Sequence, residues 1–158
     1  MKSMPFDLIR KLLIISIAGL FASCSSSDVM EVRQFHLSSV DPANRDAQMV
    51  RGEQSYRLRG AVTLEERQAR LGQYYTVSWK NEGSSSGQLK IVMDYQQTAT
   101  GSRALRMSRD LPTDKATGKV EFKLTGEAYR VGGRVLSWRI RMMNGNKIIA
   151  EKRSYLWR

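Results

Sequence analysis

Residues 135–157, VLSWRIRMMNGNKIIAEKRSYLW, decide the fold. Leu136, Trp138, Ile140 and Met142 alternate with Val135, Ser137, Arg139 and Arg141, the period of a strand with one buried face. Asn144-Gly145 predicts a tight hairpin turn, because both central residues of a type I′ turn need positive φ. Lys147–Trp157 is then the closing strand. Working backwards, Val120, Phe122 and Leu124 alternate with Lys119, Glu121 and Lys123, and Gly132-Gly133 reads as the turn between the two runs. A two-residue loop there would set the apolar faces on opposite sides, since a one-residue slip reverses every side chain. A three-residue loop, Gly132-Gly133-Arg134, brings Leu124 and Met142 to one face and sets Glu127 opposite Arg139. A bulge near Gly126 achieves the same.

Upstream, the same period predicts strands at Glu31–Leu37, Gln54–Thr63, Gln73–Lys80 and Gln88–Gln96, with a weaker, arginine-rich one at Arg103–Ser108. Gln73–Lys80 puts Tyr75, Val77 and Trp79 on the core face and Tyr74 outward. Gly83-Ser84-Ser85-Ser86-Gly87 reads as a flexible hairpin loop. One segment breaks the pattern. Thr63-Leu64-Glu65-Glu66 is a capping-box sequence, and Gly72 stands where a helix-ending residue is expected. This gives a short helix over 64–71 with Leu64 and Leu71 inward, or a long irregular loop. About seven short strands with turn chemistry between them specify an all-β fold, an antiparallel β-sandwich, with a small barrel as the alternative. Trp79 on the third strand resembles the buried tryptophan of immunoglobulin-like domains, an architectural likeness only, because no Cys…Trp…Cys spacing exists here.

Composition excludes several classes. The chain has 158 residues, enough for one compact domain of ordinary hydrophobic content. Its single cysteine forbids an internal disulfide, and one cysteine with one histidine forbids a Cys/His zinc cage. No nucleophile elbow, P-loop, dinucleotide fingerprint or EF-hand loop occurs, and no cofactor is called for. His36 reads as a surface residue at a strand end. Glu65 and Glu66 read as helix-capping residues, not a catalytic pair. A non-enzymatic protein is expected.

The cysteine's position is more informative than its number. Lys2, Arg10 and Lys11 form a basic segment, and Leu12 to Ala22 is an uncharged run, too short to span a bilayer. Phe21-Ala22-Ser23-Cys24 follows, then Ser25-Ser26-Ser27-Asp28. Residues 1–24 resemble bacterial lipoprotein precursors: Ala22-Ser23-Cys24 match the lipobox, with Phe21 in place of its usual leucine. The resemblance implies a signal peptide over 1–23 forming a short helix, and cleavage before Cys24. Acylation at Cys24, palmitate among the chains, follows from the same resemblance. It further implies a flexible tether over 24–28 and a single domain over 29–158. Ser25 resembles the sorting signal for the outer membrane, facing the periplasm. Acyl chains contribute about 0.8 kcal/mol per buried CH2, so two or three anchor a protein stably.

The full chain carries a formal +11, and the part after residue 23 still carries 23 basic against 14 acidic residues. The basic character therefore belongs to the folded part, which will attract anions. Arg57, Arg59, Lys90, Arg139 and Arg141 share the outward strand parity and are the candidate anion-binding residues, for phosphates of lipid headgroups, acidic glycans or DNA. The alternative is a solvated face balanced by Asp94, Glu121 and Glu127. Arg67, Arg70 and Tyr74 form the densest cluster of contact-making residue types and are the candidate partner contact; a helix C-cap explains them equally well. Trp157 either closes the core or stays at a strand end. The expectation is a lipid-anchored envelope domain binding another envelope protein, through a sheet edge by strand addition, or else a cationic module for anionic polymers or headgroups.

Overall fold

The computed structural model describes residues 28–41, 47–81, 87–112 and 114–158. The expected signal helix, Cys24 and the spacer to Ser27 lie outside the described residues, as do residues 82–86 of the glycine-serine loop. Among the described residues the chain forms β1 (Met30–Leu37), α1 (Gln48–Leu58), α2 (Leu64–Ala69), β2 (Gly72–Lys80), β3 (Leu89–Gln97), β4 (Leu105–Asp110), β5 (Thr117–Thr125), α3 (Gly126–Gly132), β6 (Val135–Asn144) and β7 (Lys147–Arg153). The strands make two antiparallel sheets, one ordered β1-β2-β5 and the other β4-β3-β6-β7, an all-β sandwich.

The core lies between the sheets. Tyr75, Val77 and Trp79 of β2 and Phe122 and Leu124 of β5 face Ile91 and Met93 of β3 and Ile140 and Met142 of β6. Each fully buried side chain of this size contributes about 1.5–3 kcal/mol, so packing alone holds the sheets together. β2 is as apolar as expected but is buried on both faces: Tyr74 does stand on the outer side of the sheet, yet only 4% of it is exposed. The outer face of its sheet is covered, because α1 lies across it and stacks Arg57 on the Tyr74 ring, 4.3 Å from its centroid.

That helix is the largest correction. Gln54–Thr63 was expected as a strand, yet Gln48–Leu58 is helical. The alternation of Tyr56, Leu58 and Val62 is misleading, since Tyr56 and Val62 are exposed. What the helix satisfies is the four-residue spacing of Glu53 and Arg57, whose ion pair measures 2.7 Å, and a tertiary bond from Arg57 to Glu121 on β5. The second helix forms as predicted. Thr63 Oγ1 accepts from the Glu66 backbone N–H, and Glu66 Oε2 accepts from the N–H of Thr63. Leu64, expected inward, is exposed. Gly72 does not cap this helix; it opens β2 at φ +147, where a Cβ would stand 2.1 Å from the Leu124 carbonyl oxygen. Only glycine lets the two strands approach there.

Two expected hairpins do not exist. β2 and β3, which flank the glycine-serine loop, belong to different sheets, so the connection crosses the sandwich. β5 pairs with β2, not with β6, and residues 126–132 fold as α3 between them. Glu127 is therefore an exposed helix residue beside Arg130, and Arg139 faces β3 instead of Glu127. The proposed register was refuted because both strands already had better partners: β5 buries Phe122 beside Tyr75, and β6 buries Ile140 beside Met93. The apolar alternation of β6 also breaks at its start. Gln96 pairs with Ser137 and Gln97 with Val135, leaving Leu136 as a bulge that is half exposed while Val135 and Ser137 are buried. The freed Val135 N–H donates to the buried Gln73 Oε1 at 2.5 Å.

The β6–β7 hairpin forms, with Asn144 opposite Lys147. Its loop is Gly145-Asn146, one residue later than expected, and only Gly145 takes positive φ, as a type II′ turn requires at its first central position. β7 ends at Arg153, short of Trp157.

Candidate anion-binding face

Among the described residues no helix packs on the outer face of the four-stranded sheet. Strand register lines up Arg106 of β4, Asp94 of β3, Arg139 of β6 and Arg153 of β7 in one row across all four strands. Arg141, two residues along β6, stands opposite Val92 and reaches the same aspartate.

Asp94 organises the row. Only 3% of it is exposed. Its Oδ1 accepts from Arg106 Nε at 2.6 Å, and its Oδ2 from a terminal nitrogen of Arg141 at 2.6 Å and of Arg139 at 3.2 Å. Burial pushes its carboxyl up, but the hydrogen bonds from Arg106 and Arg139 and the charges of Arg106 and Arg141 outweigh that and hold it below its ordinary value. The bond to Asp94 correspondingly raises Arg106. One carboxylate among three guanidiniums leaves a surplus of positive charge, and because the carboxylate is covered, an approaching ligand meets guanidinium. Arg139 is further fixed by the Trp157 ring, 5.1 Å from its guanidinium carbon. The buried Nε atoms of Arg139 and Arg141 have no hydrogen-bond partner among the described residues.

The five candidate cations do not form one face. Lys90, Arg139 and Arg141 lie on the outer side of the four-stranded sheet, where Lys90 stands opposite Asp110. Arg57 and Arg59 lie on the other side of the molecule, on α1 and its C-cap instead of on a strand. Arg57, 9% exposed, is held by Glu53 and Glu121; burial would lower its pKa, and the bonds to Glu121 and Glu53 raise it overall. Arg59 lies over the Tyr56 ring at 5.6 Å.

Arg67, Arg70 and Tyr74 do come together, in internal bonds. Arg70 donates to the carbonyls of Arg57 and Arg59 at 3.0 and 2.6 Å, closing the C-terminal end of α1. Arg67 Nε donates to the Ala61 carbonyl, and the Tyr74 hydroxyl to the Arg70 carbonyl at 2.5 Å. This is the C-terminal capping role moved to a neighbouring helix. His36 is half-buried, with Nε2 2.7 Å from the Tyr129 hydroxyl; burial, then the charge of Arg134, holds its pKa down.

Arg106, Arg153 and Trp157 are the residues of the face that sequence reasoning did not place there; Asp94 is one of the three acids expected to balance it and does so, whereas Glu121 and Glu127 lie elsewhere, paired with Arg57 and Arg130. The available signal was an acid at the outward parity of β3, but its three arginine partners become visible only once β4, β3 and β6 are known to be neighbours. Among the described residues no group of three or more His, Cys, Asp or Glu could hold a metal ion, and no helix is long and apolar enough to cross a membrane. No family model, curated protein or solved structure matches the chain.

Proposed function

We propose that this chain is a lipid-anchored, non-enzymatic domain of the bacterial envelope, tethered through Cys24 to the outer membrane on its periplasmic side, and that it binds a polyanion on the open face of its four-stranded sheet. The observation that carries the binding reading is the arginine row held by the buried Asp94, with Arg106, Arg139, Arg141 and Arg153 on one uncovered face. Guanidiniums fixed in place lose little entropy on meeting a phosphate or sulfate, and their planar fork suits such groups.

The test is a titration with inorganic polyphosphate across a salt series. Four guanidinium contacts at about 0.7 counterions each give a log–log slope of about −2.8, or a loss of about 50-fold in affinity between 50 and 200 mM salt. Arg106→Gln with Arg153→Gln removes the two members at the ends of the row, and the loss should shrink to about sevenfold. Affinity independent of salt overturns the reading.

A second reading is favoured by the edge of the other sheet. β5 is nine residues long and among the described residues pairs only with β2, so its second edge offers itself to strand addition by an envelope protein. A photocrosslinker at Lys123 that captures one envelope protein in cells would support it; labelling of none would remove it.

A further inference from the structure

The described chain begins at the same edge of the sandwich where β7 ends. β1 and β7 are edge strands of the two sheets and lie close together: Lys152 Nζ of β7 bonds Oδ2 of Asp28, two residues before β1, at 2.9 Å, while Trp138 Nε1 of the neighbouring β6 donates to Gln34 Oε1 of β1 at 3.3 Å. After β7 the chain makes a fixed turn. The Ser154 N–H donates to the Trp138 carbonyl and its hydroxyl accepts from the Trp138 N–H, both at 2.9 Å; the Trp157 N–H donates back to the Ser154 carbonyl at 3.1 Å. The turn holds Tyr155 out at 99% exposure and Leu156 at 63%, between Arg153 and Arg158.

A tyrosine and a leucine held out of the fold by ordered backbone, with a guanidinium on each side, match a bilayer interface. Aromatic rings with polar tips settle at headgroup depth, and cations beside them meet lipid phosphates. The chain length keeps the contact within reach of the anchor. Cys24 and Asp28 are four peptide units apart, at most about 14 Å. Asp28 touches Lys152, and Tyr155 is three residues further, at most about 11 Å.

We propose that Tyr155 and Leu156 insert into the interface of the same bilayer that holds the Cys24 acyl chains, with Arg153 and Arg158 on its phosphates, so that the sandwich stands on its β1–β7 edge. This rests on acylation of Cys24. An anchor at one point leaves a domain free to rotate; a second contact fixes its orientation. In that pose the row Arg153–Arg139–Asp94–Arg106 rises from the headgroups across three strand spacings, about 14 Å. Arg106 then lies beyond the Debye length of about 8 Å and remains free for a soluble polyanion, whereas Arg153 is taken up by lipid in the membrane-bound protein and joins the polyanion contacts only in the detached one.

The experiment uses the purified, acylated full-length product in vesicles of phosphatidylethanolamine and phosphatidylglycerol. A thioether-linked Cys24 cannot react with a maleimide, so Tyr155→Cys supplies the one reactive thiol for an environment-sensitive dye; Ser102→Cys, in the exposed turn before β4, is the control. The dye at 155 should be blue-shifted and brighter than at 102, and quenched by spin-labelled lipid. Leu156→Glu in the Tyr155→Cys background should return it to the behaviour of the control. Equal emission at 155 and 102 overturns the proposal. A mature protein without the acyl mass, labelled at Cys24, removes the anchor and the orientation with it, and mass spectrometry reads that failure separately.

Discussion

Asp94→Asn tests the logic of the arginine face, because it should move stability and binding in opposite directions. The substitution keeps the side chain's volume and removes its charge, leaving Arg106, Arg139 and Arg141 around a neutral amide in a site where Asp94 was 3% exposed. Breaking a buried ion pair by deleting one partner costs about 3–5 kcal/mol. Here Arg106 is 64% exposed and its share is screened by water, whereas Arg141 is only 14% exposed. The expected loss is about 2–4 kcal/mol. At a urea m-value of about 1.5 kcal/mol/M the midpoint falls by roughly 2 M. The pH dependence has a definite sign. The folded pKa of Asp94 lies below its unfolded value, so its contribution is present above the unfolded pKa of about 4 and is lost as pH falls through the folded one. The gap between wild type and variant should therefore hold steady between about pH 5 and 7 and close below about pH 4. Polyphosphate affinity at low salt should rise, since the row gains a net positive charge. An unchanged urea midpoint, or weaker polyphosphate binding by a folded variant, would refute the reasoning.

Three further substitutions probe other parts of the structure. Gly72→Ala forces a Cβ to within 2.1 Å of the Leu124 carbonyl at a φ that L residues rarely adopt, and should cost roughly 3 kcal/mol or more in urea unfolding; a stable, soluble variant would show that β2 and β5 can part. Trp79→Ala, at 3% exposure in the core, should cost about 3–5 kcal/mol, and an unchanged midpoint would remove it from the core. Cys24→Ala should shift the protein from the membrane fraction to the soluble fraction or leave it as an uncleaved precursor; a cleaved variant that stays membrane-bound would overturn the lipoprotein reading.

Strand identity was legible where apolar and polar residues alternate along the chain, as in β3 and β5, because alternation records burial directly. Pairing was not. The Gly132-Gly133 turn was read as a hairpin because neighbours in sequence usually pair, yet β5 and β6 sit in opposite sheets. Nothing local in either strand states which sheet it joins. The 54–63 segment failed for a different reason. Its short alternation was compatible with either period, and the deciding contacts, Arg57 with Glu121 and with the Tyr74 ring, span 64 and 17 residues. At the site, parity placed Arg139 and Arg141 outward, but it could not show that Asp94 lies beneath them.

The two outer faces show why arginine content alone does not identify a binding surface. Arg57 has two carboxylates and an aromatic ring, and is 9% exposed, so its charge is neutralised and its main effect is to fasten α1 to the three-stranded sheet. Asp94 has the opposite imbalance, one carboxylate to three guanidiniums, and among the described residues no helix lies over it. In the first arrangement every cation is consumed by the fold. In the second, the fold uses one acid to fix the geometry of several cations and leaves their excess charge at the surface. The ratio of carboxylates to guanidiniums within hydrogen-bond reach therefore separates arginines neutralised by the fold from arginines with surplus charge, and it is the reason for proposing a polyanion site on β4-β3-β6-β7 rather than around Arg57.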